Sequence, residues 1–345
     1  MAKPPNSVIG VDLGRHALKA VLIQRRGADK FAVTNYAVRT LVEPCADGEA
    51  LERELKALFK EMGGSSKHCG IAISSAKALI RIIEQPETPP ALLREALRLN
   101  GMALLNQDCR SLVLDCDWIP SRDTRSNPGG VTQLNYLVGG VPRTEITQIA
   151  EACGKSGIPV SRLQVAPICV FNAFEFAQPD VFKDGPFFLV DIGYTTTTVM
   201  VGVKGELVLV RSIDCGGRVL METLVAMSGE SQELVLAALE HDDELMVENA
   251  RLALAVLNRE IANSIGFFEG RHEENIVRLY ISGATAKSKA LLSLMSEEVR
   301  LPCESWNPLE KCEVTLSGGR AQQFESESLN LHVACGAAVE ILKAQ

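Results

Sequence analysis

Val8-Ile9-Gly10-Val11-Asp12-Leu13-Gly14 near the start of the chain and Phe187-Phe188-Leu189-Val190-Asp191-Ile192-Gly193 past its middle are two copies of one pattern. Each is a short apolar strand running into Asp-x-Gly. After the first copy, apolar stretches at Leu18–Gln24 and Phe31–Val38 flank the polar turn Arg25–Lys30, which predicts a strand meander. After the second copy, a hairpin is predicted to turn at Lys204-Gly205. A single Asp-x-Gly is a common tight turn. Two copies, each between an apolar strand and a hairpin, indicate internal duplication and therefore two similar lobes.

The intervening sequence supplies the remaining elements. Glu49–Met62 places Leu51, Leu55, Leu58, Phe59 and Met62 on one helical face. Strands are predicted at Cys69–Ser74 and Ala78–Glu84, closed by the proline-rich break Pro86–Pro90. Pro90–Leu105 reads as a helix, Ser111–Trp118 as a strand, Ser121–Gly130 as a polar loop, Gln133–Gly139 as a strand and Thr144–Ser156 as a helix. The chain then returns through Arg162–Val165 and a helix over Pro167–Ala177. Beyond the second hairpin come Gly216-Gly217, a helical stretch from Val219 to Phe268, a strand at Val277–Ser282, a helix to Val299 and a closing helix after Gly336. The predicted fold is α/β. Its first lobe spans 1–185, with core 1–85 and 160–185 and a small subdomain inserted at 86–159. Its second lobe spans 186–345, with core 186–218 and 275–345 and a helical subdomain at 219–274.

At 345 residues, 46 % hydrophobic and 23 % charged, the chain has the composition to build both cores. Aromatic residues are only 5 % of it and the net charge is -8, so neither base stacking nor attraction to phosphate backbones or anionic lipid is favoured; no nucleic acid and no direct membrane insertion are expected. No apolar run approaches the ~18 residues of a membrane span. The ten cysteines form no C-x-x-C pair, and the N-terminus has no targeting pattern, so reduced thiols and a cytoplasmic location are expected. The five histidines have no ligand spacing, and neither a P-loop nor a G-x-S-x-G motif is present.

The chemistry therefore rests on the turns. Glycine lets backbone N–H groups approach an anion, and a carboxylate beside it suits a hydrated Mg²⁺ rather than the phosphate itself. On this basis Asp12, Gly14, Arg15 and Lys19 form one candidate phosphate turn, and Asp191, Gly193, Thr195 and Thr196 the other, with Asp12 and Asp191 holding Mg²⁺ through water. Thr197 adds a third hydroxyl. Gly216-Gly217 opens a helix whose N–H groups suit an anion, or is a plain strand-to-helix turn. Ser282-Gly283-Ala284 is either a platform for a purine or an ordinary β–α turn.

In this order the motifs resemble the actin-like ATPase superfamily, a two-lobed fold with duplicated ribonuclease H-like domains. Asp12–Lys19 resembles its first phosphate loop, Asp191–Thr197 its second, Ile281–Ala286 its adenosine motif, and Pro167–Ala177 and Ala334–Leu342 its two connecting helices. Leu257–Phe268, Gln133–Val165, Leu301-Pro302 and Trp306-Asn307-Pro308 resemble the PilM family of type IV pilus assembly proteins, relatives of FtsA. The resemblance implies a cytoplasmic scaffold that binds ATP and Mg²⁺ in an interlobe cleft and sits at the inner membrane through a protein partner. It implies that a PilN-like cytoplasmic tail docks between the first lobe and its inserted subdomain, with self-association left open. An FtsA-like tether or a small-molecule kinase on the same fold are the alternatives. The tether requires a basic amphipathic C-terminal helix, and the kinase an aspartate base, for which Asp108 and Asp115 are poorly placed.

The sequence departs from the family pattern at four places. Arg15 and His16 stand where small hydroxyl residues are usual, and Val165-Ala166-Pro167 stands where a water-orienting side chain is usual, with Gln164 the nearest polar group. No lysine lies between Arg218 and Ala250, and the adenosine turn reads Ser-Gly-Ala. Together these imply weak binding of nucleotide, and binding in preference to turnover.

Overall fold

A computed structural model describes residues 4–119, 125–126, 132–241, 243–316 and 319–343. The first Asp-x-Gly strand is β1 (Ser7–Leu13), antiparallel to β2 (Ala17–Arg25), which pairs with β3 (Phe31–Thr40). Asp47 caps α1 (Gly48–Met62) by accepting from the Ala50 N–H, and Leu51, Leu55, Leu58 and Met62 are the face it buries. β4 (Cys69–Ile73) then joins β1 in parallel.

The insertion follows as β5 (Leu79–Pro86), α2 (Pro90–Leu105), β6 (Leu112–Trp118), β7 (Arg125–Ser126) and β8 (Thr132–Pro142). Most of the polar loop expected over 121–130 lies outside the described residues. The insertion has its own core of Leu79, Leu93, Leu97, Cys109, Leu112, Cys116, Tyr136 and Val138. By contrast, α3 (Arg143–Lys155) puts Ile149, Ala152 and Cys153 into the core beside α1. The separate subdomain thus begins earlier and ends earlier than the expected 86–159. The cause is the apolar face of α3, which matches α1 rather than the small sheet. The chain re-enters the first lobe as β9 (Val160–Val165) and α4 (Ala166–Ala177), with the short α5 (Pro179–Asp184) after it.

The second copy repeats the first in register. β10 (Pro186–Ile192) pairs antiparallel with β11 (Thr197–Val203), which pairs with β12 (Glu206–Ile213). The hairpin turns at Lys204-Gly205 with φ values of 51° and 87°, as a tight two-residue turn requires. Asp12 lies opposite Lys19 and Asp191 opposite Thr198. α6 (Gly217–Ser228), α7 (Gln232–Glu240) and α8 (Glu244–Glu269) form the helical part. β13 (Leu279–Ser282) runs parallel to β10, as β4 does to β1, and α9 (Lys289–Val299) and β14 (Cys303–Ser305) complete this lobe. The duplication is therefore visible as two sheets that share one strand order.

The end of the chain corrects the expected second-lobe core. β15 (Cys312–Val314) pairs with β3, so the first sheet runs β15-β3-β2-β1-β4-β9. After α10 (Arg320–Glu327), α11 (His332–Lys343) also lies on the first lobe, against α4, β1 and β4. This packing is close because three glycines permit it. A Cβ on Gly10 would overlap the Ala334 carbonyl, one on Gly70 the Ala337 carbonyl, and one on Gly336 the Cys169 carbonyl. α11 is buried along nearly its whole length, leaving no face for a membrane surface. No helix among the described residues is long and apolar enough to cross a membrane.

Candidate functional site

The C-terminal ends of β1 and β10 bring the two Asp-x-Gly turns together. The register of each hairpin places its aspartate on the last pairs before the turn. Asp12 is buried; Oδ1 accepts from the Ser74 hydroxyl at 3.2 Å and Oδ2 meets Lys19 Nζ at 3.3 Å. Asp191 accepts from the Ser282 hydroxyl at 2.7 Å. Desolvation raises the Asp191 pKa; the Ser282 hydrogen bond and the Lys19 charge oppose this, and the Asp12 charge adds to it. The two carboxylates and Lys19 thus share one electrostatic neighbourhood. Ser74 is a residue that sequence reasoning missed. It follows a parallel strand and belongs to no motif, so only the β1–β4 pairing brings it to Asp12.

Across the mouth of this site the His16 ring stacks on Tyr194, with centroids 4.8 Å apart and planes 15° apart. His16 belongs to the first turn and Tyr194 to the second, so the bulky residues after each glycine join the lobes. Arg15, beside His16, is exposed.

The second turn is built more for internal closure than expected. The Gly193 N–H donates to the Thr196 carbonyl at 3.0 Å, and the Gly217 and Arg218 N–H groups donate to the Gly193 and Tyr194 carbonyls, each at 2.9 Å. The first turn of α6 therefore holds the loop with N–H groups that the sequence offers either to an anion or to a plain strand-to-helix turn. A Cβ on Gly216 would crowd the backbone of Thr195 and Gly193, which explains that glycine by packing alone. Thr197 is also spent: its buried hydroxyl donates to the Cys215 carbonyl at 2.6 Å. Ser282, Gly283 and Ala284 stand where expected, and Gly283 takes φ 95°, which favours glycine. Thr285 lies close to Gly217, so the adenosine-type turn and the α6 start are adjacent.

Some donor capacity remains. Among the described residues, the N–H groups of Gly14, Arg15 and His16 and of Tyr194, Thr195 and Thr196 have no backbone partner. With Lys19 and the Thr195 and Thr196 side chains, these fit a phosphate group. A second Asp191 oxygen, without a hydrogen bond to the described residues, fits a hydrated Mg²⁺ whose charge would relieve the desolvation of that carboxylate. The Asp12 carboxylate, with both oxygens engaged, is a poorer metal contact than the sequence reading supposed. No group of three or more metal-ligating side chains occurs among the described residues.

Among the described residues, the start of α4 offers no acidic side chain to orient a water. Ala166 and Pro167 begin α4, and the amide oxygen of Gln164 accepts from the Cys169 thiol at 3.4 Å. Asp108 is paired with Arg110, and Asp115 of β6 with Arg94 of α2, both as exposed ion pairs in the insertion.

A groove of about 390 Å³ opens beside the first turn. Its lining is mixed, with Leu13, Leu51, Ile73 and Ile149 beside the polar Ser75 and Gln148 and the charged Arg15 and Glu145. It lies where the β1–β2 turn, the β3–α1 and β4–β5 loops and α3 converge. The Ser75 hydroxyl donates to Glu145 at 2.8 Å and holds two of these walls together.

A family model described as type IV pilus assembly protein PilM matches residues 10–342. Among solved structures, the PilM-PilN type IV pilus biogenesis complex is similar, with TM-score 0.82, 22 % identity and coverage of 98 % of this chain and 99 % of that one. The ethanolamine utilization protein EutJ from Carboxydothermus hydrogenoformans has TM-score 0.52 and 14 % identity over 96 % of this chain and 90 % of its own. A diol dehydratase-reactivating factor in nucleotide-free form has TM-score 0.54 and 8 % identity over 98 % of this chain and 100 % of its own. These likenesses show a shared actin-like two-lobed fold.

Proposed function

Because the chain belongs to the PilM family of type IV pilus assembly proteins, we propose that it is an assembly scaffold whose first-lobe groove takes the cytoplasmic tail of a PilN-like inner-membrane protein. The observation that carries this reading is the groove itself. Its lining is mixed: Leu13, Leu51, Ile73 and Ile149 offer apolar contact to an extended peptide, while Ser75, Gln148, Arg15 and Glu145 offer hydrogen bonds and charge of both signs to its polar groups. The chain would then sit at the inner membrane through its partner, on the cytoplasmic side.

The cleft binds ATP as a structural ligand. Lys19, the open N–H groups of the two turns and the Thr195 and Thr196 side chains would hold phosphate, Asp191 a hydrated Mg²⁺, and Ser282-Gly283-Ala284 the base. When bound, Mg²⁺ would neutralise phosphate and carboxylate charge together. The Gln164 amide oxygen accepts from the Cys169 thiol, and alanine and proline begin α4, which favours nucleotide occupancy over hydrolysis as the function of this site.

Arg15 lines the groove while its neighbour His16 makes the interlobe stack, so the tail and nucleotide sites meet at adjacent residues. Titration of a PilN-type tail peptide, with and without Mg-ATP, tests this reading. Heat that is lost on filling the groove supports it, and absence of heat with the cognate tail overturns it.

A further inference from the structure

α8 presents a long outward face with a regular pattern. Inward, it buries Met246, Ala250, Leu254, Leu257, Ile261 and Ile265. Outward, Leu245, Glu248, Leu252, Ala255, Arg259 and Ala262 are all exposed and follow one another at spacings of three and four residues. Leu245 and Leu252 are 71 % and 57 % exposed, and Val256 beside them 53 %. A seam of this period is the pattern by which one helix packs along another.

The content of the seam selects its partner. In an antiparallel pair each first seam position of a heptad meets a second seam position of the other helix. With a two-fold axis passing between residues 253 and 254, Leu245 falls opposite Ala262 of the second copy, Glu248 opposite Arg259, and Leu252 opposite Ala255. Each large side chain meets a small one and each acid meets a base, twice over by symmetry. Arg259 makes no ion pair among the described residues. Glu248 has only a 3.6 Å contact with Arg251, whose guanidinium already holds Glu297 and Glu298 at 2.8 Å.

We propose that α8 pairs antiparallel with α8 of a second copy of this chain, forming a two-fold homodimer through the helical part of the second lobe. The first-lobe groove is not used in this contact. One helix pair is smaller than a standard interface, so association is expected to be concentration-dependent, on the order of micromolar.

Sedimentation velocity of the full chain, from about 1 to 200 μM on that scale, gives the test. The wild-type protein is expected to shift from monomer to dimer with rising concentration. Glu248→Arg alone and Arg259→Glu alone set like charges opposite each other at both ends and should weaken the dimer at least ~10-fold. The double variant Glu248→Arg/Arg259→Glu should return to within ~3-fold of wild type. Circular dichroism separates loss of pairing from loss of folding, and the double variant provides a second check because it carries both changes. A wild-type monomer at the highest concentration overturns the proposal. So does a dimer that the single charge reversals leave intact or that the double swap fails to restore.

Discussion

The imidazole of His16 lies nearly parallel to the Tyr194 ring, 4.8 Å from it, and this stack joins the two Asp-x-Gly turns across the cleft. The residues that depart most from a small-hydroxyl phosphate loop thereby gain a structural role. An aromatic pair of this kind contributes about 0.5–1.5 kcal/mol beyond the area it buries.

His16→Ala and Tyr194→Ala should each lower unfolding free energy by about that amount, and the double variant by clearly less than the two singles added. A urea double-mutant cycle measures the coupling. Strict additivity would show that the rings do not hold the lobes together.

Asp191 trades stability for ligand binding. Its charge is desolvated, so Asp191→Asn, which keeps an oxygen for the Ser282 hydroxyl, should raise the melting temperature of the unliganded protein. The same change should abolish the thermal shift produced by Mg-ATP. A variant that is less stable yet fully responsive would contradict the placement of Mg²⁺ at this carboxylate.

His332 supplies a pH dependence. Its Nε2 lies 2.7 Å from the Trp306 carbonyl oxygen, and burial pushes the pKa down from 6.5 to about 3. A depressed histidine pKa means that the unfolded chain binds the extra proton first. Its contribution to stability is therefore complete above about pH 6.5 and declines as pH falls toward 3, by up to ~1.4 kcal/mol per unit. The raised Asp191 pKa acts in the opposite sense, favouring the folded state on the acid side. Denaturant melts between pH 6.5 and 5 should show the histidine slope in wild type and not in His332→Asn.

The α4–α11 contact sets a steric prediction. Gly336→Ala would push a methyl into the Cys169 carbonyl and should cost about 1–3 kcal/mol or more. Gly154→Ala, on α3 with open space around it, should instead stabilise by up to ~1 kcal/mol. Equal effects from the two would mean that α11 packs less closely on α4.

Much of this was legible in the residues. The paired Asp-x-Gly strands, the hairpin turn at Lys204-Gly205, the buried face of α1 and the helix over Pro90–Leu105 follow from local periodicity and turn chemistry. What escaped was set by distant partners. β14 and β15 have three residues each, too few for a periodic signal, and exist because β13 and β3 have edges to extend. The return of α11 to the first lobe depends on glycines at 10, 70 and 336 that are far apart in sequence. Within the site, the glycines at 216 and 217 suit either an anion or a plain strand-to-helix turn, because any helix start offers free N–H groups. The backbone of Gly193 and Tyr194 supplies carbonyls to the N–H groups of residues 217 and 218, and no local pattern announces that.

We propose that the groove beside Gly14 and α3 receives a partner's tail. Gln148 is exposed on α3 and lines the groove, so Gln148→Trp fills it without entering the core. Isothermal titration calorimetry with the cognate PilN-type tail peptide should give one site per chain in wild type. In Gln148→Trp the affinity should fall at least ~10-fold, a loss of about 1.4 kcal/mol. Absence of binding to the wild-type chain, or binding that the filled groove leaves unchanged, would contradict it.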